Sequence, residues 1–347
     1  MTLDINIQEH SSVFFEESAF GFQRLSARRK AFWVTDQHVL DANAAFFEGK
    51  TVYVLPAGEA SKNPQQLEHI LQQLQHFGAD KQTVMAVVGG GMVSDIAGLA
   101  AALYMRGIDA IYMPTSVLAM VDAAIGGKTA INFGGIKNLL GVIRQPISVI
   151  IDTGWLQTLP HLEWRNGLAE VIKHGCIREP GILQVLQQHD LAGLQNDTAL
   201  LQQLIRSAVQ VKWEIVAQDP HEKGIRRILN FGHTVGHAIE AETGMPHGQA
   251  VAIGMVYALH LSVQEYGLEQ DFADAVLALL HRYQLPVKTD VPFDALWKSI
   301  LFDKKKNEDR LAFILLEVPG KAMIRYYGLE ELRVKLAAIH HQMHAGI

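Results

Sequence analysis

Through the first 150 residues, short apolar runs ending in polar or turn-forming residues alternate with segments whose apolar positions recur every three or four residues. AFWVTD (31–36), TVYVLP (51–56), VMAVVGGG (84–91) and IDAIYMP (108–114) have the near-continuous apolarity of strands buried on both faces. Between Asn63 and Phe77, the positions Leu67, Ile70, Leu71, Leu74 and Phe77 fall at helical intervals. Asn63 is the expected N-cap, with Pro64 at the first helical position. After the three glycines, MVSDIAGLAAALYM predicts another helix, and VIIDT (149–153) a last strand. Strand, helix and strand in repetition predict a doubly wound parallel sheet. From Trp164 onward the helical period governs WRNGLAEVIKHGCI, ALLQQLIRSAVQVKWEIVAQ, GHTVGHAIEAE and VAIGMVYALHLSVQEYG. Only the β-like stretches LAFILLEV (311–318) and KAMIRYYG (321–328) interrupt it. The expected fold class is α/β: a parallel-sheet domain over residues 1–160, then a mainly α-helical domain over 161–347, with the active site in the crevice between them.

Composition excludes classes without naming a chemistry. An apolar fraction of 49% excludes a disordered chain. Thirty basic against 36 acidic residues leave a net charge of −6, so no nucleic-acid partner is expected. The single cysteine, Cys176, excludes a disulfide framework and a thiolate zinc cluster and reads as a core thiol. No apolar stretch reaches the ~18 residues of a membrane span. The opening MTLDINIQEHSS is acidic without an apolar core, so no signal peptide is expected and a cytoplasmic location is. Against this background, 16 histidines stand out.

Three groups of residues carry candidate chemistry. In VVGGGMVSD a strand runs through a glycine turn into a helix start, where backbone N–H groups and the helix dipole favour a pyrophosphate. It lacks the G-x-G-x-x-G spacing, and Asp36, after an earlier strand, is placed to meet a ribose or adenine. The turn IGGKTAIN places Lys128 to hold a phosphate or carboxylate, without P-loop spacing. In NFGHTVGHAIEAETGMPHGQAV, His233 and His237 lie four apart on one helical face, with His247 ten further on and Glu170 in an earlier helix. Three of these four groups suffice for a His/His/Glu zinc site with an open position. Spacing favours the His233–His237 pair and does not say which histidine is left out. Finally, Arg106, Lys128, Lys137, Lys173, Lys212, Arg226 and Lys304–Lys306 stand beside glycines, turns or helices, which on an acidic protein suggests a phosphorylated anionic substrate.

From Val52 to Ile324 the chain resembles 3-dehydroquinate synthase, of the sugar-phosphate cyclase superfamily. The motifs that carry the resemblance are GEASKN (58–63), GGGMVSDIAG (89–98), YMRG (104–107), PTSVLAMVDAAIGGKTAIN (114–132), IKNLLG (136–141), TLP (158–160), GLAEVIKHG (167–175), DPHEKGIRRILNFGHTVGHAIE (219–240), HGQAVAIGM (247–255) and DKK (303–305). The resemblance implies NAD+ in the N-terminal domain and Zn2+, with Co2+ as a substitute, in the helical one. It implies a lyase of the shikimate pathway that turns a seven-carbon keto-acid sugar phosphate into dehydroquinate without net redox change. By motif, Glu170, His233 and His247 resemble the zinc ligands, which moves His237 to the substrate side. Asp36, Glu59, Lys62, Gly90, Gly91, Asp95, Thr115, Ser116, Lys137 and Thr158 match cofactor-binding positions. Asp122, Lys128, Asn138, Lys173, Lys212, Arg226, Asn230, His237 and Lys305 match substrate-binding positions, and His237, Lys173, Lys128 and Asp122 are the catalytic candidates among them. Arg106 matches an arginine that reaches the phosphate from a partner subunit, so a homodimer is implied.

The chain departs from the family pattern at Gln249, where Glu is usual, at VDAAIGGK in place of VDSSVGGK, and at Gly135–Asn138. None of these removes a ligand or a charged substrate contact. The competing expectations are a sister cyclase that makes a cyclitol, and an NAD- and metal-dependent polyol dehydrogenase. The latter would release NADH.

Overall fold

The computed structural model describes residues 3–6, 10–26, 29–303 and 310–344. It divides into two compact units, Met1–Glu163 with Lys212–His221, and Trp164–Val211 with Glu222–Ile347. The first unit is built on a seven-stranded sheet. In chain order its elements are β1 (Leu3–Asn6), β2 (His10–Phe15), α1 (Ser18–Leu25), β3 (Ala31–Asp36), α2 (Gln37–Ala42), α3 (Ala44–Phe47), β4 (Val52–Leu55), α4 (Pro64–His76), β5 (Val84–Gly89), α5 (Gly91–Leu103), β6 (Asp109–Pro114), the hairpin β7 (Lys128–Phe133) and β8 (Ile136–Ile143), and β9 (Ser148–Ile151). The sheet order is β1-β2-β9-β6-β5-β3-β4, parallel throughout except for β1, which pairs antiparallel with β2.

Every residue of β5 is buried, which is why VMAVVG is apolar without alternation. Successive residues of β3 show the two covered faces. Trp33 packs against the tilted ring of Phe22 in α1 and edge-to-face with Phe46 of α3, with centroids 4.4 and 5.7 Å away, while Phe32 meets Phe77 at the end of α4. Asn63 caps α4 as expected, its side chain accepting the Gln66 N–H. From β3 the chain moves outward to β4, whereas from β5 it moves the other way through β6 to β9. Neighbouring β3 and β5 therefore form a switch point, and their carboxyl ends carry Asp36 and the turn Gly89–Gly91. The hydrophobic pattern did not anticipate β1, β2 or the hairpin. All eight positions of β8 are exposed, so its apolar residues do not report a buried face.

The second unit is mainly helical: α6 (His161–Ile177), α7 (Gly181–Gln188), α8 (Leu191–Asn196), α9 (Thr198–Gln218), α10 (His233–Thr243), α11 (His247–Tyr266), α12 (Gln270–Arg282), α13 (Phe293–Asp303), the pair β10 (Arg310–Val318) and β11 (Lys321–Gly328), and α14 (Leu329–His344). The ends of α6 and α9 extend into the first unit. Positions Ala250–Leu259 of α11 are all buried, as befits a helix apolar around its circumference. No helix among the described residues is long and apolar enough to cross a membrane.

Candidate active site

In the helical unit, three helices converge on one point. Glu170 lies in the middle of α6 and is fully buried; His233 opens α10 and His247 opens α11. Left-handed Gly232 (φ +80°) turns the chain into α10, and the side chain of Asn166, one turn before Glu170, accepts the Gly248 N–H and ties α6 to the start of α11. The Nε2 atoms of His233 and His247 lie 3.7 and 3.6 Å from Glu170 Oε1, and one donor atom from each residue falls within 4.8 Å of the others.

The far side of each ring explains its orientation. His233 Nδ1 lies 3.1 Å from the Phe231 carbonyl oxygen, an atom that only accepts, so Nδ1 carries the proton and the Nε2 lone pair faces Glu170. His247 Nδ1 is 3.1 Å from the Glu240 carboxylate, which selects the same tautomer once the ring is neutral. Two imidazoles braced this way and one carboxylate match the donor set of a divalent zinc-type ion. Burial, then the neighbouring Lys173 ammonium, hold His233 well below the usual imidazole range. At His247, burial is outweighed by the carboxylates of Glu170 and Glu240, which push it up to about 10. An ion entering here therefore displaces a proton from His247.

His237 stands beside this triad and outside it. Its ring is 5.2 Å from that of His233, and its donor atom groups with Glu240 and His247 instead. The pair favoured by spacing, His233 with His237, is thus not the pair that meets Glu170. Lys173, one turn from Glu170, is ion-paired to it and 1% exposed. Arg226, equally buried, and Asn230, which donates to Glu222 at 2.8 Å, sit on the turn Ile225–Asn230. Lys305 lies outside the described residues.

In the sheet unit, Gly90 is the N-cap of α5 and offers no side chain to the first-turn N–H groups. A Cβ at Gly90 would stand 3.6 Å from Ser116 Oγ, so the glycine turn lies against Ser116, while the Thr115 N–H donates to the Gly89 carbonyl at 3.0 Å. Asp36 uses one carboxylate oxygen to cap α2, accepting the Val39 N–H at 3.1 Å. Lys62, 4% exposed, donates to Asp95 at 2.5 Å and also to Asn138. Glu59 accepts from Asn132 at 2.8 Å. Asp122, on a π-helical turn (Ala119–Ala123), is ion-paired with Lys212 at 2.6 Å. Thr158 donates to the Trp155 carbonyl at 3.3 Å, and Lys128 and Lys137 are exposed on the hairpin. Arg106 is exposed, on a turn where it and Met105 both take positive φ. Sequence reasoning missed Glu240 and Asn132. For Glu240 the signal was present, since positions 233, 237 and 240 share one helical face.

Burial raises the Asp95 carboxyl from 3.8 to about 6, against the pull of Lys62. The folded chain therefore holds this proton more tightly than the unfolded chain. That contribution to stability is fully present below about pH 4 and is lost as pH rises through about 6. The melting temperature of the wild type relative to Asp95→Asn is accordingly expected to fall as pH is raised across this window. A pH-independent difference sinks the assignment.

Comparison with known proteins supplies a context for this geometry. A family model described as 3-dehydroquinate synthase N-terminal matches residues 52–166, and one described as 3-dehydroquinate synthase C-terminal matches residues 167–306. A 3-dehydroquinate synthase from Xanthomonas oryzae pv. oryzae is 44% identical over 281 residues, covering 78% of this chain and 76% of that protein. Among solved structures, 2-epi-5-epi-valiolone synthase from Streptomyces hygroscopicus subsp. jinggangensis, with NAD+ and Zn2+ bound, superposes with a TM-score of 0.85 at 27% identity, covering 95% of this chain and 96% of that one. A 2-deoxy-scyllo-inosose synthase complexed with carbaglucose-6-phosphate, NAD+ and Co2+ gives a TM-score of 0.81 at 25% identity, covering 98% and 100%.

Proposed function

The chain belongs to the 3-dehydroquinate synthase family, and from that premise we propose that it converts 3-deoxy-D-arabino-heptulosonate 7-phosphate to 3-dehydroquinate and inorganic phosphate. The match of both family halves in order along the chain carries the reading. When bound, NAD+ takes up and returns a hydride while a divalent ion polarises a substrate oxygen, so no net redox change results.

The remaining work falls to the chain's own groups. Glu170, His233 and His247 hold the ion, and Glu240 and the Phe231 carbonyl keep both imidazoles turned toward it. The uncapped first turn of α5 at Gly90–Gly91, with Thr115 and Ser116 beside it, receives the pyrophosphate, and Asp36 meets the ribose. Glu59, Lys62, Asp95, Lys137 and Thr158 complete the cofactor contacts. Lys128, Lys212 and Arg226 hold the substrate carboxylate and phosphate. Asp122 keeps Lys212 in one orientation, and Asn138, Asn230 and Lys305 add further substrate contacts. His237, outside the ligand triad, and Lys173, held by Glu170, orient hydroxyls and exchange protons.

The test is direct. Supplied with the heptulosonate phosphate, NAD+ and Zn2+, the purified protein should release phosphate and yield dehydroquinate with no net NADH. Absence of phosphate release, or stoichiometric NADH, overturns the reading. The high TM-scores to the 2-epi-5-epi-valiolone and 2-deoxy-scyllo-inosose synthases favour a sister cyclase as the second reading. Phosphate release from a sugar phosphate lacking the carboxylate, and not from the heptulosonate, would select it.

The protein is further proposed to act in the cytoplasm as a homodimer. Phe133, Leu139, Leu140, Val142 and Ile143 on the hairpin are 41–50% exposed, and Leu103 and Met105 add exposed apolar surface beside Arg106. The Arg144 guanidinium, just past β8, packs on Gly107, two residues after Met105. Exposed apolar side chains concentrated on one hairpin support an interface there. Leu140→Glu is expected to convert a dimer into monomer in analytical ultracentrifugation and to lower turnover. A monomeric, fully active wild type rules the dimer out.

A further inference from the structure

Glu59 and Lys62 from the segment before α4, Asp95 from α5 and Asn138 from the hairpin are joined by hydrogen bonds, and at the centre stands a residue with no role assigned above, Asn132. The reason lies in the hairpin register. β7 and β8 pair regularly from Lys128↔Ile143 to Ile131↔Leu140, then resume at Phe133↔Ile136. One residue of β7, Asn132, therefore faces three of β8: Lys137, Asn138 and Leu139. In this bulge Asn138 takes φ +55°, a conformation asparagine tolerates better than most residues. Its N–H stands outside the ladder, and Asn132 Oδ1 accepts it at 2.9 Å.

The other polar groups of Asn132 point to the segment before α4. Its Nδ2 donates to Glu59 Oε1 at 2.8 Å, and its backbone N–H donates to the Lys62 carbonyl at 2.8 Å. The Lys62 ammonium closes the circuit by donating to Asp95 and to the Asn138 side chain. Only a side chain with one donor and one acceptor at this reach makes both the Glu59 and the Asn138 bonds. Aspartate would keep the acceptor and set two carboxylates against each other.

We propose that Asn132 is a positioning residue that holds the cofactor-side Glu59 and the substrate-side Asn138 in one geometry, so that the two are not arranged independently. The inference rests on the proposed NAD+ and heptulosonate-phosphate chemistry. Its test uses the full-length, metal-loaded protein, with NAD+ affinity measured by calorimetry and amide 138 followed by hydrogen exchange. Asn132→Ala is expected to weaken NAD+ binding about tenfold and to speed exchange at amide 138 about tenfold, the scale of one lost hydrogen bond at each place. Asn132→Asp is expected to weaken NAD+ binding while leaving amide 138 protected. Glu59→Gln in that background restores a donor–acceptor pair of reversed polarity and should recover part of the lost affinity.

Should Asn132→Ala fail to fold, the Asn132→Asp and double-variant comparison carries the test alone. The role is overturned if Asn132→Ala leaves both readouts within about twofold of wild type. It is equally overturned if the Asp variant deprotects amide 138 as much as Ala does, since that marks a general loosening of the hairpin. A wild type that neither binds NAD+ nor releases phosphate fails the functional reading instead, and the exchange measurement still decides whether Asn132 holds the bulge.

Discussion

His247→Ala is expected to give a folded protein that retains no divalent ion after dialysis and shows no measurable phosphate release. His247 supplies one of three donors, and Glu170, the partner it leaves behind, is fully buried. A three-ligand site reduced to two has neither the charge nor the geometry to hold zinc against a chelator. Losing the ion removes several kcal/mol of charge stabilisation from the reaction, so turnover should fall by roughly three orders of magnitude or more. Metal content by mass spectrometry is the decisive readout. Stoichiometric metal retained in His247→Ala would remove this residue from the ligand set and make His237 the next candidate. His237→Ala, by contrast, should keep its metal and lose turnover. Glu240→Gln should weaken metal binding by about 10–100-fold, the usual effect of removing a carboxylate behind a ligating histidine.

Gly254→Ala is expected to damage stability and the metal site together, although Gly254 touches no ligand side chain in the triad. Helices α10 and α11 cross where glycines face backbone. A Cβ at Gly254 would overlap the Gly232 carbonyl oxygen and stand 2.8 Å from the Gly236 N, and one at Gly236 would lie 3.0 Å from the Val251 Cα. Backbone atoms of two packed helices yield little, so relief requires the helices to separate. The cost is about 3 kcal/mol by comparison with overpacked cores, or a drop in melting temperature on the order of 10 °C. Separation also carries His233, the residue after Gly232, away from His247, so metal affinity should fall with it. Gly328→Ala, where an added Cβ meets nothing within 4 Å, is the control and should change neither quantity. A Gly254→Ala protein with wild-type melting temperature and metal content would refute the backbone-contact account.

The hydrophobic pattern made β3, β4, β5, β6 and β9 legible because parallel strands covered on both faces need unbroken apolar runs. The Asn63 cap and the helical stretches of α4, α6, α10 and α11 were legible because capping and helical period are local. The hairpin β7–β8 was not: β7 alternates over only six residues, with Thr129 and Ile131 buried, and β8 has no buried face at all for its apolar residues to mark. At the candidate site, residue order and motif brought Glu170, His233 and His247 into one expectation. Spacing alone pointed to His233 with His237, which share a helical face without both facing Glu170.

The chain by itself thus determined its parallel sheet, the helical character of its second half and the residue types able to hold a cation, a pyrophosphate and an anionic substrate. Motif resemblance already put His247 in place of His237; only the tertiary structure decided that Glu240 braces His247 from behind and that Asn132 joins Glu59 to Asn138. Periodicity encodes which face of an element is buried. Which atoms then meet depends on how helices cross and where a strand bulges, and those are set by packing between residues far apart in sequence.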